Sequence, residues 1–252
     1  MAENLVIIPT YNEYDNVRPI VDQILALTED FDILFVDDGS PDGTADEIRQ
    51  QMERYIDRIY LIEREGKLGL GTAYIAGFRW ALERNYQHII EMDCDFSHPV
   101  SALPRLISTV RNEDVDVCVG SRYVKGGNVE DWPIGRLLMS YMASLYVRVL
   151  TWLPVKDTTA GFVCYTQEAL SAIDLDSIHF KGYGFQIEMK YAVYRLGYKI
   201  KEIPITFVDR KVGISKMSSS IFGEAFTGVI KLRWWSIIGK FPLGRKKIRR
   251  KK

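Results

Sequence analysis

The chain has 252 residues, of which 47% are hydrophobic and 26% are charged, a composition typical of a globular protein with a substantial core. Its formal net charge is zero, because 33 basic residues balance 33 acidic ones. No run of about 18 uninterrupted apolar residues occurs, so the sequence predicts no membrane-spanning helix.

Strand and helix patterns alternate through the first 120 residues. Short apolar runs predict strands at 5–8, 33–36, 59–62, 88–92 and 115–119. Helices are predicted between them at 17–27, 72–83 and 101–111. A further helix is predicted after the strand at 33–36, with Asp42 or Thr44 as its cap. Short buried strands that alternate with helices indicate an α/β fold with a mostly parallel central sheet and helices on both faces.

The alternation ends after residue 121. A long amphipathic segment at 134–153 is followed by an apolar run at 162–165, helices at 167–173 and 185–196, a strand at 200–207 and a helical stretch at 218–241. Because no linker rich in Pro or Ser divides the first 210 residues, we expect one catalytic domain over 1–217. An amphipathic helix and a basic tail are expected over 218–252.

Two carboxylates, Asp93 and Asp95, directly follow the strand predicted at 88–92. Since residues i and i+2 of a strand face the same side, both should aim at one point while Cys94 points inward. Ligands bind open α/β sheets at the carboxyl ends of strands, and such oxygen ligands suit Mg²⁺ or Mn²⁺. A solvated Asp-x-Asp turn is the alternative, and the motif alone does not separate the two.

Other strand ends at the same edge carry polar residues, at 9–13, 37–40 and 120–122. An aromatic ring and carboxylates there could hold a base and a ribose, although each segment alone could equally be a capping turn. Cations for phosphate groups are expected from Arg122, Arg136, Arg210 and Lys216. The glycine-rich run at 66–71 matches neither a P-loop nor a dinucleotide fingerprint, so it indicates a tight turn into a helix.

Five motifs together are specific: P-T-Y-N-E at 9–13, D-D-G-S-P-D-G-T at 37–44, G-K-L-G-L-G-T-A-Y at 66–74, D-C-D-F-S-H-P at 93–99 and G-S-R-Y at 120–123. They resemble the inverting glycosyltransferases that use nucleotide sugars. The run F-V-D-R-K-V-G-I-S-K-M at 207–217 is similar to that of dolichyl-phosphate (polyprenol-phosphate) mannosyltransferases. The resemblance implies a GT-A fold, a GDP-mannose donor, Mg²⁺ or Mn²⁺ as cofactor, and a polyprenyl or dolichyl phosphate acceptor.

The resemblance also implies roles for individual residues. Those implied for the guanosine pocket are Pro9, Tyr11, Glu13, Val36 and Asp38. Those implied for the diphosphate and the metal are Asp93, Cys94 through its backbone, and Asp95 as the direct metal ligand. Those implied for phosphate contacts are Arg122, Arg210 and Lys216, with Arg136 facing the acceptor phosphate. Some relatives have Gln as a further metal ligand where Ser97 stands in this chain.

The implied acceptor needs no general base, because a phosphomonoester with a second pKa of about 6 is already anionic at pH 7. Asp157 and Glu188 are candidate bases only for an alcohol acceptor, and His98 and His179 are expected to be structural. Three alternatives stay open: another donor such as UDP-glucose or UDP-GlcNAc, a sugar hydroxyl as acceptor, or a non-catalytic nucleotide-sugar-binding protein.

Two segments, 134–153 and 221–241, have large apolar residues at helical spacing, interrupted by charges. Such helices lie on a bilayer rather than cross it, although 134–153 could equally pack on the core. Seven of the eight residues at 245–252 are basic, which favours an anionic membrane surface over nucleic acid because the rest of the chain is acidic.

Three cysteines in apolar contexts predict reduced thiols. The amino terminus lacks the pattern of a signal peptide. The predicted location is therefore cytoplasmic and peripheral, on the cytoplasmic face of a membrane. A small membrane-anchoring subunit is left open as a partner.

Overall fold

The computed structural model describes residues 2–182, 184–209, 219–239, 241 and 244, without the side chains of 219–226. Two predicted site residues, Arg210 and Lys216, and the basic tail at 245–252 lie outside the described residues. The functions expected of them stay predictions.

A seven-stranded sheet forms the centre of the molecule. Its strands are β1 (Asn4–Thr10), β2 (Phe31–Asp37), β3 (Ile59–Glu63), β4 (His88–Glu91), β5 (Val117–Ser121), β7 (Val163–Thr166) and β8 (Ile200–Pro204). They are arranged in the order β3-β2-β1-β4-β7-β5-β8. All neighbours are parallel except β7, which runs antiparallel to both β4 and β5. The mostly parallel sheet expected from the sequence is confirmed.

Helices cover both faces of this sheet. They are α1 (Tyr14–Leu25), α2 (Thr44–Arg54), α3 (Leu70–Glu83), α4 (Leu103–Asn112), α5 (Ile134–Thr151), α6 (Gln167–Ser171), α7 (Gly184–Arg195) and α8 (Ser219–Ile237). One core contains Ile20 of α1, Ile48 of α2 and Leu106 of α4. The other contains Phe78 of α3 and Phe185 of α7. β1 and β2 are buried along almost their whole length, as strands covered on two faces require.

The segment predicted as one strand at 200–207 is two strands in the structure. β8 pairs with β5, whereas β9 (Thr206–Val208) pairs in parallel with β6 (Asn128–Glu130) in a separate small sheet. Between them, the Ile205 N–H donates to the Ser121 carbonyl at 3.1 Å. The single-strand prediction was wrong because an apolar run does not reveal where a chain changes its pairing partner.

This topology gathers the polar loops at one edge. Because β4 and β5 are both antiparallel to β7, they are parallel to each other, and their carboxyl ends open on the same side as those of β1 and β2. The β6–β9 ribbon holds a further loop there, since the Asp209 N–H donates to the Glu130 carbonyl at 3.2 Å. The predicted site residues from four strand ends therefore face one region of the surface.

Helix α8 packs on the core through Val229 and Leu232, which are 2% and 0% exposed, and leaves Trp234 60% exposed. Within the described ranges, no helix is long and apolar enough to cross a membrane. The cysteines, Cys94, Cys118 and Cys164, are buried and free, so the expectation of reduced thiols is confirmed.

Candidate active site

Asp93 and Asp95 line one cavity of about 460 Å³ beyond the carboxyl end of β4. They do not belong to the strand, which ends at Glu91. The chain turns instead through Phe96, whose φ is +59°, and the Ser97 N–H donates to Oδ1 of Asp95 at 3.1 Å. A loop rather than strand alternation therefore brings the two carboxylates together.

The same loop is held by His98. The Asp93 N–H donates to Nδ1 of His98 at 3.1 Å, so this nitrogen must be unprotonated. Burial lowers the pKa of His98 to about 4, which keeps the ring neutral at pH 7. The ring also stacks on Phe162, with 5.0 Å between centroids. His98 positions the carboxylate loop, in agreement with the structural role expected for it.

The carboxylate loop offers oxygen groups that suit a hard divalent cation. Cys94 is 3% exposed and packs in the core, so it turns inward as expected. Ser97 lines the cavity, and its buried hydroxyl oxygen has no hydrogen-bond partner among the described residues. No cluster of three or more His, Cys, Asp or Glu side chains suited to a metal occurs within those residues. A cation held by Asp93 and Asp95 would take its other ligands from substrate phosphates or water, as Mg²⁺ commonly does.

Arg122 forms the most complete ion pair of the cavity wall. Its Nε and NH2 donate to the two carboxylate oxygens of Asp157 at 2.7 and 2.6 Å, and its backbone N–H donates to the same carboxylate at 3.0 Å. Asp157 is fully buried, and NH2 of Arg122 also reaches Thr159 at 3.0 Å. Both carboxylate oxygens of Asp157 are engaged in holding Arg122, so the geometry does not favour this residue as a base.

Arg136 lies in the first turn of α5 and lines the same cavity. Its NH1 donates to Oδ2 of Asp209 at 2.8 Å, and its guanidinium lies 4.0 Å from the ring centroid of Trp132. Besides Asp209, the cavity lining contains the carboxylates of Asp93 and Asp95 and the guanidinium groups of Arg122 and Arg136, which is a charge pattern suited to a metal-bound diphosphate beside a second phosphate. The roles of these four residues stay predictions.

Another part of the wall is apolar. It includes side chains from α5, α7 and α8, namely Met139, Met142, Ala143, Tyr146, Val147, Ile187 and Val229. This apolar part belongs to the same cavity as the charged groups of Asp93, Arg122 and Arg136. The geometry therefore suits an amphipathic ligand with an anionic head and a hydrocarbon chain.

The residues implied for the guanosine pocket lie at the ends of β1 and β2, outside this cavity. Asp38 forms an ion pair with Arg64, whose Nε donates to Oδ1 at 2.6 Å. Burial raises the pKa of Asp38 even though Arg64 acts in the opposite direction. The Tyr11 ring lies 5.1 Å from Nζ of Lys67. Arg64 precedes the glycine-rich run at 66–71 and Lys67 lies within it, and neither was among the site residues predicted from the sequence.

The other three residues implied for the guanosine pocket are Glu13, Pro9 and Val36. Glu13 accepts a hydrogen bond from the side chain of Asn16 at 2.7 Å, and Pro9 is partly buried in β1. Val36 is fully buried in the core. A ligand could reach only the backbone of Val36, because helices cover both faces of this central strand and bury its side chains.

Comparison with known proteins supports the resemblance to glycosyltransferases. Residues 5–173 match the model of glycosyl transferase family 2. An undecaprenyl-phosphate mannosyltransferase of Micrococcus luteus is 46% identical over 91% of this chain and 93% of its own. A polyprenol monophosphomannose synthase of Mycolicibacterium smegmatis is 43% identical over 97% of this chain and 91% of its own.

Among solved structures, a similar fold occurs in glucosyl-3-phosphoglycerate synthase from Mycobacterium tuberculosis, solved with Mn²⁺, UDP and glucosyl-3-phosphoglycerate. The TM-score is 0.65 at 17% identity, over 94% of this chain and 80% of that one. At this identity the likeness concerns the fold, and the expected GT-A architecture is confirmed.

Proposed function

The chain belongs to glycosyl transferase family 2, and we propose that it transfers mannose from GDP-mannose to a polyprenyl phosphate with inversion, giving polyprenyl-phosphate mannose and GDP. Relatives named for mannosyl transfer to such lipids, 43% and 46% identical, support the assignment. The observation that carries it is the single cavity that unites an acidic pair, two arginines and an apolar wall.

A divalent cation, Mg²⁺ or Mn²⁺, belongs to the proposal. Asp93 and Asp95 would hold it, and the Ser97 hydroxyl, which has no hydrogen-bond partner in the described part of the chain, lines the same cavity and fits this role. When bound, such a cation stabilises the negative charge that develops on a leaving diphosphate. Arg122 contributes a positive charge in the same wall, already oriented by Asp157.

The nucleophile in this proposal is an anionic phosphate oxygen of the lipid. In this proposal Arg136 receives it, which is supported by its partly exposed pair with Asp209. No general base is required, because the phosphate is already ionised at neutral pH. This fits the structure, in which Asp157 is occupied by Arg122, and Glu188 accepts the N–H groups of His179 and Phe180 at 2.9 Å each.

The donor is tested by supplying the purified protein with polyprenyl phosphate and GDP-mannose, UDP-glucose or UDP-GlcNAc, with and without Mg²⁺. We expect Mg²⁺-dependent turnover with GDP-mannose at the highest kcat/KM. Preferred use of a UDP-sugar would replace the donor while keeping the lipid acceptor. Binding of nucleotide sugar without turnover would favour the non-catalytic alternative.

The substitution Glu188→Gln tests the proposal that Glu188 does not act as a general base. The free energy of unfolding of the variant, measured by denaturant titration, should fall by roughly 1–3 kcal/mol. The reason is that a neutral amide replaces a fully buried carboxylate that accepts two N–H groups. Its kcat should stay within about threefold of the unmodified protein, since no proton transfer to Glu188 is involved. A loss of kcat of roughly a hundredfold or more at unchanged stability would restore Glu188 as a candidate base.

We further propose that the protein acts as a peripheral protein on the cytoplasmic face of a membrane, with α5 and α8 against the lipid. The exposed face of α5 and its end includes Ile134 at 84%, Leu138 at 59%, Val149 at 63% and Trp152 at 70% exposure. On α8, Trp234 is 60% exposed. Both helices also contribute apolar side chains to the cavity wall, and they contact each other, so their exposed apolar residues support lipid contact.

Leu138→Ser combined with Val149→Ser should reduce binding to vesicles that contain anionic lipid, because two exposed apolar side chains outside the cavity lining are lost. The matched control is Ile56→Ser, which changes a 74% exposed isoleucine between α2 and β3. Sedimentation with vesicles measures the difference. Equal binding of the double variant and the control would contradict lipid contact by α5.

The basic tail is tested by deleting residues 245–252. Each basic residue near an anionic surface contributes about 1 kcal/mol, so the truncated protein should bind the same vesicles more weakly. Added salt should weaken binding of the full chain, because screening acts over about 8 Å at physiological ionic strength. Equal, salt-independent binding of both proteins would argue against a role for the tail.

A further inference from the structure

Trp132 carries a hydrogen-bond donor that no described residue satisfies. Its indole Nε1 is buried and has no acceptor within hydrogen-bonding distance. A buried N–H without a partner costs free energy, so its presence requires an explanation. Trp132 lines the cavity that also contains Asp93, Arg122 and Arg136. A ligand in that cavity is therefore a candidate for the missing acceptor.

The position of the indole ring is defined from several sides. Asp131 has a φ of +63°, and Pro133 begins the turn into α5, where its carbonyl accepts the Arg136 N–H at 2.9 Å. The Trp132 ring meets Phe207 of β9 edge-on, with 5.3 Å between centroids and 70° between planes. The backbone and the β6–β9 ribbon thus hold the ring in the cavity wall.

The ring also lies close to both guanidinium groups of the site. The Arg136 guanidinium is 4.0 Å from its centroid and that of Arg122 is 5.4 Å away. Arg136 is held by Asp209 in a pair whose side chains are 29% and 27% exposed. A phosphate bound by Arg136 would therefore lie close to Trp132.

We propose that Trp132 is a further ligand-binding residue, whose indole N–H donates a hydrogen bond to a ligand oxygen seated beside Arg136. The oxygen belongs to the lipid phosphate or to the transferred sugar, the two groups that the proposed reaction joins. The inference rests on the proposed function, because that function supplies both ligands. It adds a neutral donor beside the two arginines of the site.

The indole N–H groups can be observed directly by NMR of protein labelled with ¹⁵N-tryptophan. The chain has five tryptophans, and Trp132→Phe identifies the signal of Trp132 by its disappearance. Ligands are added separately: farnesyl phosphate, farnesol, and GDP-mannose or GDP with Mg²⁺. We expect the Trp132 proton to move downfield with farnesyl phosphate or with GDP-mannose, and to stay in place with farnesol and GDP.

The separate additions distinguish the two oxygen sources. A shift with farnesyl phosphate alone assigns the bond to the phosphate, whereas a shift with GDP-mannose but not GDP assigns it to the sugar. An unmoved Trp132 signal, while other signals report binding of both ligands, would overturn the inference and leave the proposed function intact. Failure of both ligands to bind would contradict the proposed function itself, and the inference with it.

Kinetics provide the second measurement. Trp132→Phe keeps an aromatic face for Arg136 but removes the N–H, so KM for the ligand identified by NMR should rise about tenfold with little change in kcat. The control is Trp80→Phe in α3, a ring that packs against Tyr60 and Tyr86 away from the cavity. Its KM values should be unchanged. Unchanged KM values for both substrates in Trp132→Phe would also overturn the inference.

Discussion

Asp95→Asn is expected to lower kcat by roughly a thousandfold or more while leaving the fold intact. The amide keeps an oxygen that can accept the Ser97 N–H, which Asp95 accepts at 3.1 Å, so the loop geometry should persist. The change removes one negative charge from a pair that shares a cavity with Ser97. Electrostatic stabilisation of a leaving diphosphate by a bound cation is worth several kcal/mol, and each 1.36 kcal/mol is about tenfold in rate.

The measurement is initial rate against Mg²⁺ or Mn²⁺ concentration, together with a thermal unfolding curve. Asp46→Asn is the matched control, because Asp46 is an exposed carboxylate on α2 that pairs with Arg49. Chelation of the metal in the unmodified protein should reproduce the effect of Asp95→Asn. Full activity of the Asn variant in the presence of chelator would rule out the assigned metal site.

Arg122→Ala is expected to lower the free energy of unfolding by about 3–5 kcal/mol and to abolish measurable turnover. Its partner Asp157 is fully buried and would keep a carboxylate without its main cation. The large loss of stability follows from the cost of an unpaired buried charge. The loss of turnover follows because the cavity wall loses the positive charge assigned to the donor diphosphate.

The two effects separate in a double variant. Arg122→Met combined with Asp157→Leu removes both charges, and replacement of a buried ion pair by apolar groups of similar size is often neutral for stability. The double variant should therefore unfold near the unmodified protein and still lack turnover. Recovery of turnover along with stability would show that Arg122 only supports the fold.

The acidic pair was predictable because Asp93 and Asp95 follow a strongly apolar strand, and the ends of such strands collect ligands. Strand alternation, which was expected to aim Asp93 and Asp95 at one point, is nevertheless not what brings them together. The strand ends before Asp93, and a positive φ at Phe96 with the His98 contact turns the loop. A left-handed residue that is neither Gly nor Asn carries little local sequence signal, so this turn could not be foreseen.

Other features depend on long-range pairing. The antiparallel insertion of β7 between β4 and β5 joins segments that are distant in the chain, and a run of apolar residues does not specify its neighbours. Arg122 meets Asp157 and Arg136 meets Asp209 for the same reason. For Asp209 a signal existed, because it lies within the motif at 207–217. Asp157 has no comparable signal in the sequence, and its carboxylate was considered only as a base.

The proposal that a lipid phosphate is the nucleophile is tested most directly by comparing polyprenyl phosphate with the matching polyprenol. Initial rates are measured with GDP-mannose and Mg²⁺, in mixed micelles of identical composition. We predict turnover with the phosphate and none above background with the alcohol, which carries no charge for Arg136 and would need a base. Arg136→Ala should raise KM for polyprenyl phosphate more than KM for GDP-mannose. Comparable rates with the two lipids would contradict the proposal and favour a hydroxyl acceptor.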